Sequence, residues 1–167
     1  GLYSRVQAKN FNLGGFSFGG SVEVVGKAAG IKDLDKAKAA LQQMNQLYHV
    51  AADWIQYQRR VGLRDMKVYT LYGRELRLDS NIKEDGNNSE RHIMNMAVDY
   101  PVQGSAAEIF KRILVALNEV IPIEDFVLQV HDEQLLDGQY NIPADNLSHI
   151  HPKIWTPLEV SQSKRWQ

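Results

Sequence analysis

Residues 127–137 read Val127-Leu128-Gln129-Val130-His131-Asp132-Glu133-Gln134-Leu135-Leu136-Asp137, and the fold class turns on this stretch. Two apolar, strand-like runs flank a His131-Asp132-Glu133 corner, which is the pattern of a β-hairpin. Its turn lifts carboxylates to the rim of a sheet, where oxygen ligands can hold a hard divalent cation beside a phosphate. Turn chemistry alone also puts Asp at such corners, because its side chain caps the local backbone. On the residues themselves both readings of Asp132 stand.

Length and composition bound the rest. A chain of 167 residues with 44% hydrophobic content makes one compact domain, or one domain and part of another. No apolar run approaches the roughly 20 residues that cross a bilayer, and Arg5 and Lys9 lead into a Gly-rich stretch rather than the apolar core of a secretory signal. With no Cys, a disulfide framework and a thiolate zinc site are excluded. A cytoplasmic location and no membrane partner are expected. The net charge is −1, but residues 1–91 hold 14 Lys/Arg against 10 Asp/Glu and residues 92–167 hold 5 against 10. A basic front suits phosphates and an acidic back suits metal ions, although an uneven solvated surface gives the same count. The chain opens without Met on a dense motif, so a partial chain is expected.

Residues 3–13 carry helical spacing, with Arg5 and Lys9 four apart on one face. Gly14, Gly15, Gly19 and Gly20, alternating with Phe16 and Phe18, then break regularity. Asp33 or Asp35 is a candidate cap for one long helix over about 36–61, which Gly62 would end. Residues 68–72 and 75–78 read as a short hairpin about Gly73. The polar Lys83–Ser89 loop is the best internal boundary, dividing 1–88 from 89–167. Helical spacing resumes from Glu90 to about Glu119, and Pro101 should break or kink it. After the acidic hairpin come an irregular or helical stretch and a last strand at Leu158-Glu159-Val160. This order points to an α+β fold, an antiparallel sheet backed by helices.

Several residues pair a chemical reading with a plain one. Arg5 and Lys9 suit a triphosphate, the guanidinium forking one phosphate while the ammonium acts as a compact charge, or they form a solvated basic face. Phe16 or Phe18 can offer a stacking surface or lie buried at a loose helix end. Gln103 can read minor-groove acceptors, which hardly vary among base pairs, or lie idle on the surface while Ser105 caps a helix. Arg59, Arg60, Arg64 and Lys67 can touch a phosphate backbone or simply be exposed charge.

The ordered set Arg5-x3-Lys9, Thr70-Leu71-Tyr72-Gly73-Arg74, Glu90-Arg91, Pro101-Val102-Gln103-Gly104-Ser105-Ala106-Ala107 and Leu128-Gln129-Val130-His131-Asp132-Glu133 resembles the C-terminal portion of a family A DNA polymerase. Tyr48 to Trp54, Pro157-Leu158-Glu159-Val160 and Trp166 resemble it too, so nearly the whole chain is covered in the family's order.

The resemblance implies a partial fingers subdomain over 1–88 and a partial palm over 89–167, with a palm-type antiparallel sheet and an incomplete helical fingers part. It implies a DNA-directed DNA polymerase, serving replication or repair, that adds deoxynucleotides to a primer 3′-hydroxyl. Arg5 and Lys9 match the helix that closes over the incoming deoxynucleoside triphosphate, Lys9 assisting catalysis, with Leu13 and Phe18 at positions facing the nucleotide. Arg74, Arg91, Gln103 and His131 match contacts to primer–template DNA. Asp132 matches one of two Asp residues that carry the catalytic Mg2+ ions, and Glu133 its neighbour.

The match departs from the family at Leu13, where an aromatic is usual, and at Ser17 and Phe18, where Tyr-Gly is usual. Phe18-Gly19 is displaced by one residue, about 100° on a helix. Asp99 stands where an Asn is usual. The other metal-binding Asp motif belongs upstream, so the missing N-terminal polymerase portion is an expected partner and the isolated chain is expected to be inactive. The alternative from another class is a non-catalytic nucleic-acid-binding or assembly module derived from a polymerase.

Overall fold

A computed structural model describes residues 4–12, 14, 21–78 and 87–163. The chain separates into two compact units, Gly1–Gln103 and Gly104–Gln167. Along the sequence run α1 (Arg5–Phe11), α2 (Val22–Ala29), α3 (Leu34–Leu47), α4 (His49–Asp65), β1 (Lys67–Tyr69), β2 (Glu75–Arg77) and α5 (Asn87–Asn118). A single 3-10 turn (Ile123–Asp125), β3 (Phe126–Val130), β4 (Glu133–Leu136) and α6 (Ala144–Ser148) complete the described elements.

In the first unit, capping explains where the helices start. Ser4 and Gln7 form a reciprocal capping box on α1, with Gln7 N donating to Ser4 Oγ at 3.2 Å and Ser4 N to Gln7 Oε1 at 2.8 Å. Asp33 caps α3 through the amides of Asp35 and Lys36, as its position in the sequence implied. Phe11, Val25 and Ala29 are buried together, with Ile31, Ala40, Leu41 and Met44 packed on them. That cluster seats α1 and leaves Arg5 and Lys9 in solvent.

A second cluster, Val68, Leu78, Ile93 and Ala97 with Leu63, Leu76 and Met96, joins α4 and the β1–β2 hairpin to the start of α5. Its closest point is a bare glycine: a Cβ added to Gly62 would lie 2.3 Å from the Ala97 Cβ and 3.0 Å from Leu78 Cδ1. In the second unit, Ile109, Ile113, Leu117 and Ile121 are buried at four-residue spacing, the stripe expected of the second half of α5.

Five sequence expectations are corrected here. The helix expected over 36–61 is two helices, because Tyr48 leaves helical geometry (φ −108°, ψ 41°). Gly62 does not end α4, which runs to Asp65 and stops at Met66 in the left-handed region; the glycine serves packing instead. Pro101 does not interrupt α5, which is assigned without a break from Asn87 to Asn118. Pro101 removes one amide donor and is itself buried, between the exposed Tyr100 and Val102, within the unbroken run.

No strand forms at Leu158–Val160, where Leu158 N instead donates to Ser148 Oγ at 3.0 Å. The palm-type sheet is likewise two separate two-stranded hairpins among the described residues, β1–β2 and β3–β4, in a mostly helical α+β arrangement. With only two strands each, the hairpins have no third described strand along their edges. The helix α2 was not expected at all, although Ser21 caps it and Gly30 ends it in the left-handed region (φ 73°).

Gly62→Ala separates packing from propensity. Alanine favours a helix interior over glycine by about 1 kcal/mol, whereas overpacking against Ala97 costs about 1–3 kcal/mol. The substitution is expected to lower the unfolding free energy in denaturant titration; an increase would show that the α4–α5 contact is loose.

Candidate functional site: a carboxylate turn and two sets of cations

The acidic hairpin is built from both ends. Antiparallel pairing runs Phe126↔Leu136, Leu128↔Leu135, Gln129↔Gln134 and Val130↔Glu133, with Val127 as an extra, bulged residue. Only His131 and Asp132 remain for the turn. A two-residue reversal needs a residue at positive φ, and His131 supplies it at 54°. His is one of the few non-glycine residues enriched in that region. His131, Asp132 and Glu133 are all exposed at this rim. The sequence reading of a hairpin with its acids on the turn is thus what the structure has.

The open end of the hairpin is fastened by Asp125. Its carbonyl accepts from Asp137 N at 2.8 Å, and its carboxylate accepts a short hydrogen bond from the Tyr140 hydroxyl. Between them Gly138 sits at φ 130°, where a Cβ would come within 2.8 Å of the Tyr140 ring. Donation to Asp125, with Asp137 and Glu124 adding negative charge, pushes the Tyr140 phenol up to about 12. None of these residues had been singled out in the sequence. The only available signal was an Asp before one strand and Gly-x-Tyr after the next.

In the first unit Arg5 and Lys9 share an exposed face of α1, one turn apart. Arg74 is exposed on the β1–β2 turn, where the buried Thr70 organises the backbone: Thr70 N donates to Arg74 O at 3.0 Å and Arg74 N to Thr70 Oγ1 at 3.1 Å. Gln103 is exposed on α5, as is Arg91 near its start. Leu13 and Phe18, expected to face a nucleotide, lie outside the described residues, as does Ser17.

Other cations here are committed to ion pairs. Arg64 contacts Asp65 at 2.7 Å, which lowers the Asp65 carboxyl through that hydrogen bond. Lys67 contacts Glu75 at 2.9 Å, raising the ammonium and lowering the carboxyl.

The fit to a metal ion is incomplete. Mg2+ demands near-octahedral oxygen coordination and usually keeps several waters beside one or two carboxylates. The turn offers Asp132 and Glu133, and no group of three or more His, Cys, Asp or Glu able to hold a metal exists among the described residues. By itself it does not make a two-cation site. Nor is any helix among the described residues long and apolar enough to cross a membrane.

Comparison with known proteins bears on this geometry. The model of "DNA polymerase family A" matches residues 3–162. The thermostable DNA polymerase I of Thermus aquaticus is 31% identical over 171 residues, covering 93% of this chain and 19% of that protein. The chloroplastic DNA polymerase I A of Oryza sativa subsp. japonica is 33% identical over 89 residues, covering 51% of this chain and 8% of its own length. Among solved structures, the POL domain of Pol1 from M. smegmatis, in complex with DNA primer-template and dNTP, matches with a TM-score of 0.72 at 23% identity. That match covers 94% of this chain and 29% of the other, and it shows a shared fold. The chain therefore spans under a third of each of these proteins.

Alkaline titration tests the hairpin anchor. A phenol raised from 10.0 to about 12 in the fold stabilises it fully below about pH 10 and loses that contribution as pH climbs through about 12. The stability gap between the parent and Tyr140→Phe is expected to be constant below pH 10 and to close above it. The latest of the phenol titrations in tyrosinate absorbance should vanish in the variant; an unchanged late phase contradicts the Tyr140–Asp125 bond.

Proposed function

From the premise that this chain belongs to DNA polymerase family A, we propose that it forms the fingers (1–88) and palm (89–167) portions of an enzyme that extends a DNA primer on a template. Whole relatives are far longer, so the activity is that of a polymerase containing this chain. The observation that carries the proposal is the two-residue turn that exposes the Asp132 carboxylate on the hairpin rim.

The chain's own residues have separable tasks in this reading. Asp132 presents an oxygen ligand toward a divalent cation, with Glu133 as its neighbour, and the Asp125–Tyr140 bond fastens the opposite, open end of the hairpin. Family A polymerases use Mg2+, which would stabilise charge developing during phosphoryl transfer. Arg5 and Lys9, projecting together from α1, neutralise the triphosphate as pyrophosphate departs, Lys9 with its compact charge and Arg5 with its fork. Arg74, Arg91, Gln103 and His131 serve as contacts to primer–template DNA, Gln103 suiting minor-groove acceptors common to all base pairs. Leu13 and Phe18 would face the nucleotide.

A second reading, a nucleic-acid-binding or assembly module without chemistry, is favoured by one observation: the described residues contain no three-ligand acid cluster. Primer extension separates the two. In a polymerase containing this chain, Asp132→Ala is expected to cut deoxynucleotide incorporation at least about a hundredfold, the scale of losing a group that stabilises transition-state charge, while duplex binding persists. Incorporation at the parent's rate in the variant, or none in the parent, would leave the binding module as the better account.

A further inference from the structure

The helix α4 carries two apolar faces, and only one of them is buried. Ile55 and Gly62 lie on the buried side, where Gly62 meets Ala97 and Leu78. Val50, Trp54, Tyr57 and Val61 follow one another at spacings of four, three and four, about a third of a turn round from that side. Val50 is 72% exposed, Trp54 37% and Tyr57 54%, while Val61 is half-buried. Leu47, 71% exposed at the end of α3, extends the stripe by three residues and shares one apolar concavity with Val50 and Trp54.

Alternating spacings of three and four mark a helix that packs on another helix through its a and d positions. The charges around the stripe identify the partner. No Asp, Glu, Lys or Arg stands between Lys38 and Asp53, so a like copy meets no repulsion there. Asp53 and Arg60 each stand immediately before an apolar position, Trp54 and Val61, on the same flank of α4. Both are exposed, and neither forms an ion pair among the described residues.

Turned antiparallel about a two-fold axis that crosses between Trp54 and Tyr57, two copies of α4 set Trp54 against Tyr57 and Val50 against Val61. The same axis puts Asp53 of each copy beside Arg60 of the other, so the flank is complementary to itself. Parallel helices would instead set Asp53 beside the uncharged Gln58. At roughly 200 Å² for a fully exposed large side chain, the exposed fractions of Leu47, Val50, Trp54 and Tyr57 amount to about 450 Å² per copy. A homodimer interface of about 800 Å² per copy, about 65% apolar, needs roughly 500 Å².

We propose that α4 is the contact of a symmetric, antiparallel dimer of this chain, with Trp54 and Tyr57 as its central anchors and Asp53–Arg60 pairs on its rim. The dimer does not depend on the chain performing chemistry.

The test is sedimentation equilibrium of the 167-residue chain over a concentration series, which reads monomer and dimer mass directly. The parent is expected to reach dimer mass with a dissociation constant in the micromolar range, and Val50→Lys to hold it at monomer mass. Asp53→Arg and Arg60→Asp each turn both symmetry-related pairs repulsive, and each should weaken the dimer at least about tenfold. The Asp53→Arg/Arg60→Asp double variant restores complementary pairs and should recover the parent's dissociation constant, which excludes misfolding as the cause of loss in the single variants.

A parent that stays monomeric throughout overturns the proposal and leaves the α4 face to a different occupant. A dimer that survives Val50→Lys lies elsewhere on the chain and overturns it too. Dimerisation untouched by either single charge variant, or still lost in the double variant, overturns the antiparallel pairing.

Discussion

Pairing of Val130 with Glu133 leaves the chain only two residues in which to reverse direction, and the placement of Asp132 depends on that constraint. His131 absorbs the reversal by taking a left-handed backbone without a glycine. Asp132 is thereby held at the tip instead of along a strand, where alternation would turn it toward one face. A longer loop would expose the same carboxylate but let it wander. At the other end, Asp125 ties both strands through its carbonyl and the Tyr140 hydroxyl, and the bulge at Val127 takes up the mismatch between anchor and turn.

The first unit solves a different problem, that of displaying cations from helices too short to be rigid alone. The seven-residue α1 gains order from its capping box and from Phe11 inserted against Val25 and Ala29. Isolated helices of that length are marginal in water, so this burial is what holds Arg5 and Lys9 in register. At the α4–α5 crossing the device is absence of bulk: Gly62 and Ala97 bring backbones close, and the larger side chains on either side are positioned as a consequence.

How far the sequence revealed this differs by feature. Both hairpins and the Asp33 cap were legible, because turn and cap chemistry is local and written in a few residues. The break at Tyr48 was not, since the apolar spacing from Ala37 to Ile55 runs across it without a Gly or Pro to mark it. Gly62 and Pro101 misled for the same reason: each has a strong local preference that tertiary packing overrides. The Leu158–Val160 segment has strand-like residues, but Leu158 N donates to the Ser148 side chain, just after Thr156 N donates to the Ser148 carbonyl. Among site residues, Asp132, Arg74, Arg91 and Gln103 are exposed, which fits both the chemical and the plain reading of each.

The chain belongs to DNA polymerase family A, and the metal-facing role proposed for Asp132 is the part of the account that can be tested on one residue. The most direct measurement is paramagnetic broadening of backbone amide resonances by Mn2+, with the chain bound to primer–template DNA and a deoxynucleoside triphosphate. Broadening centred on His131, Asp132 and Glu133, and abolished by Asp132→Asn, is the predicted result. Amides of the turn left sharp while those near Glu124 or Asp137 broaden would contradict the assignment of Asp132 as the metal-facing carboxylate.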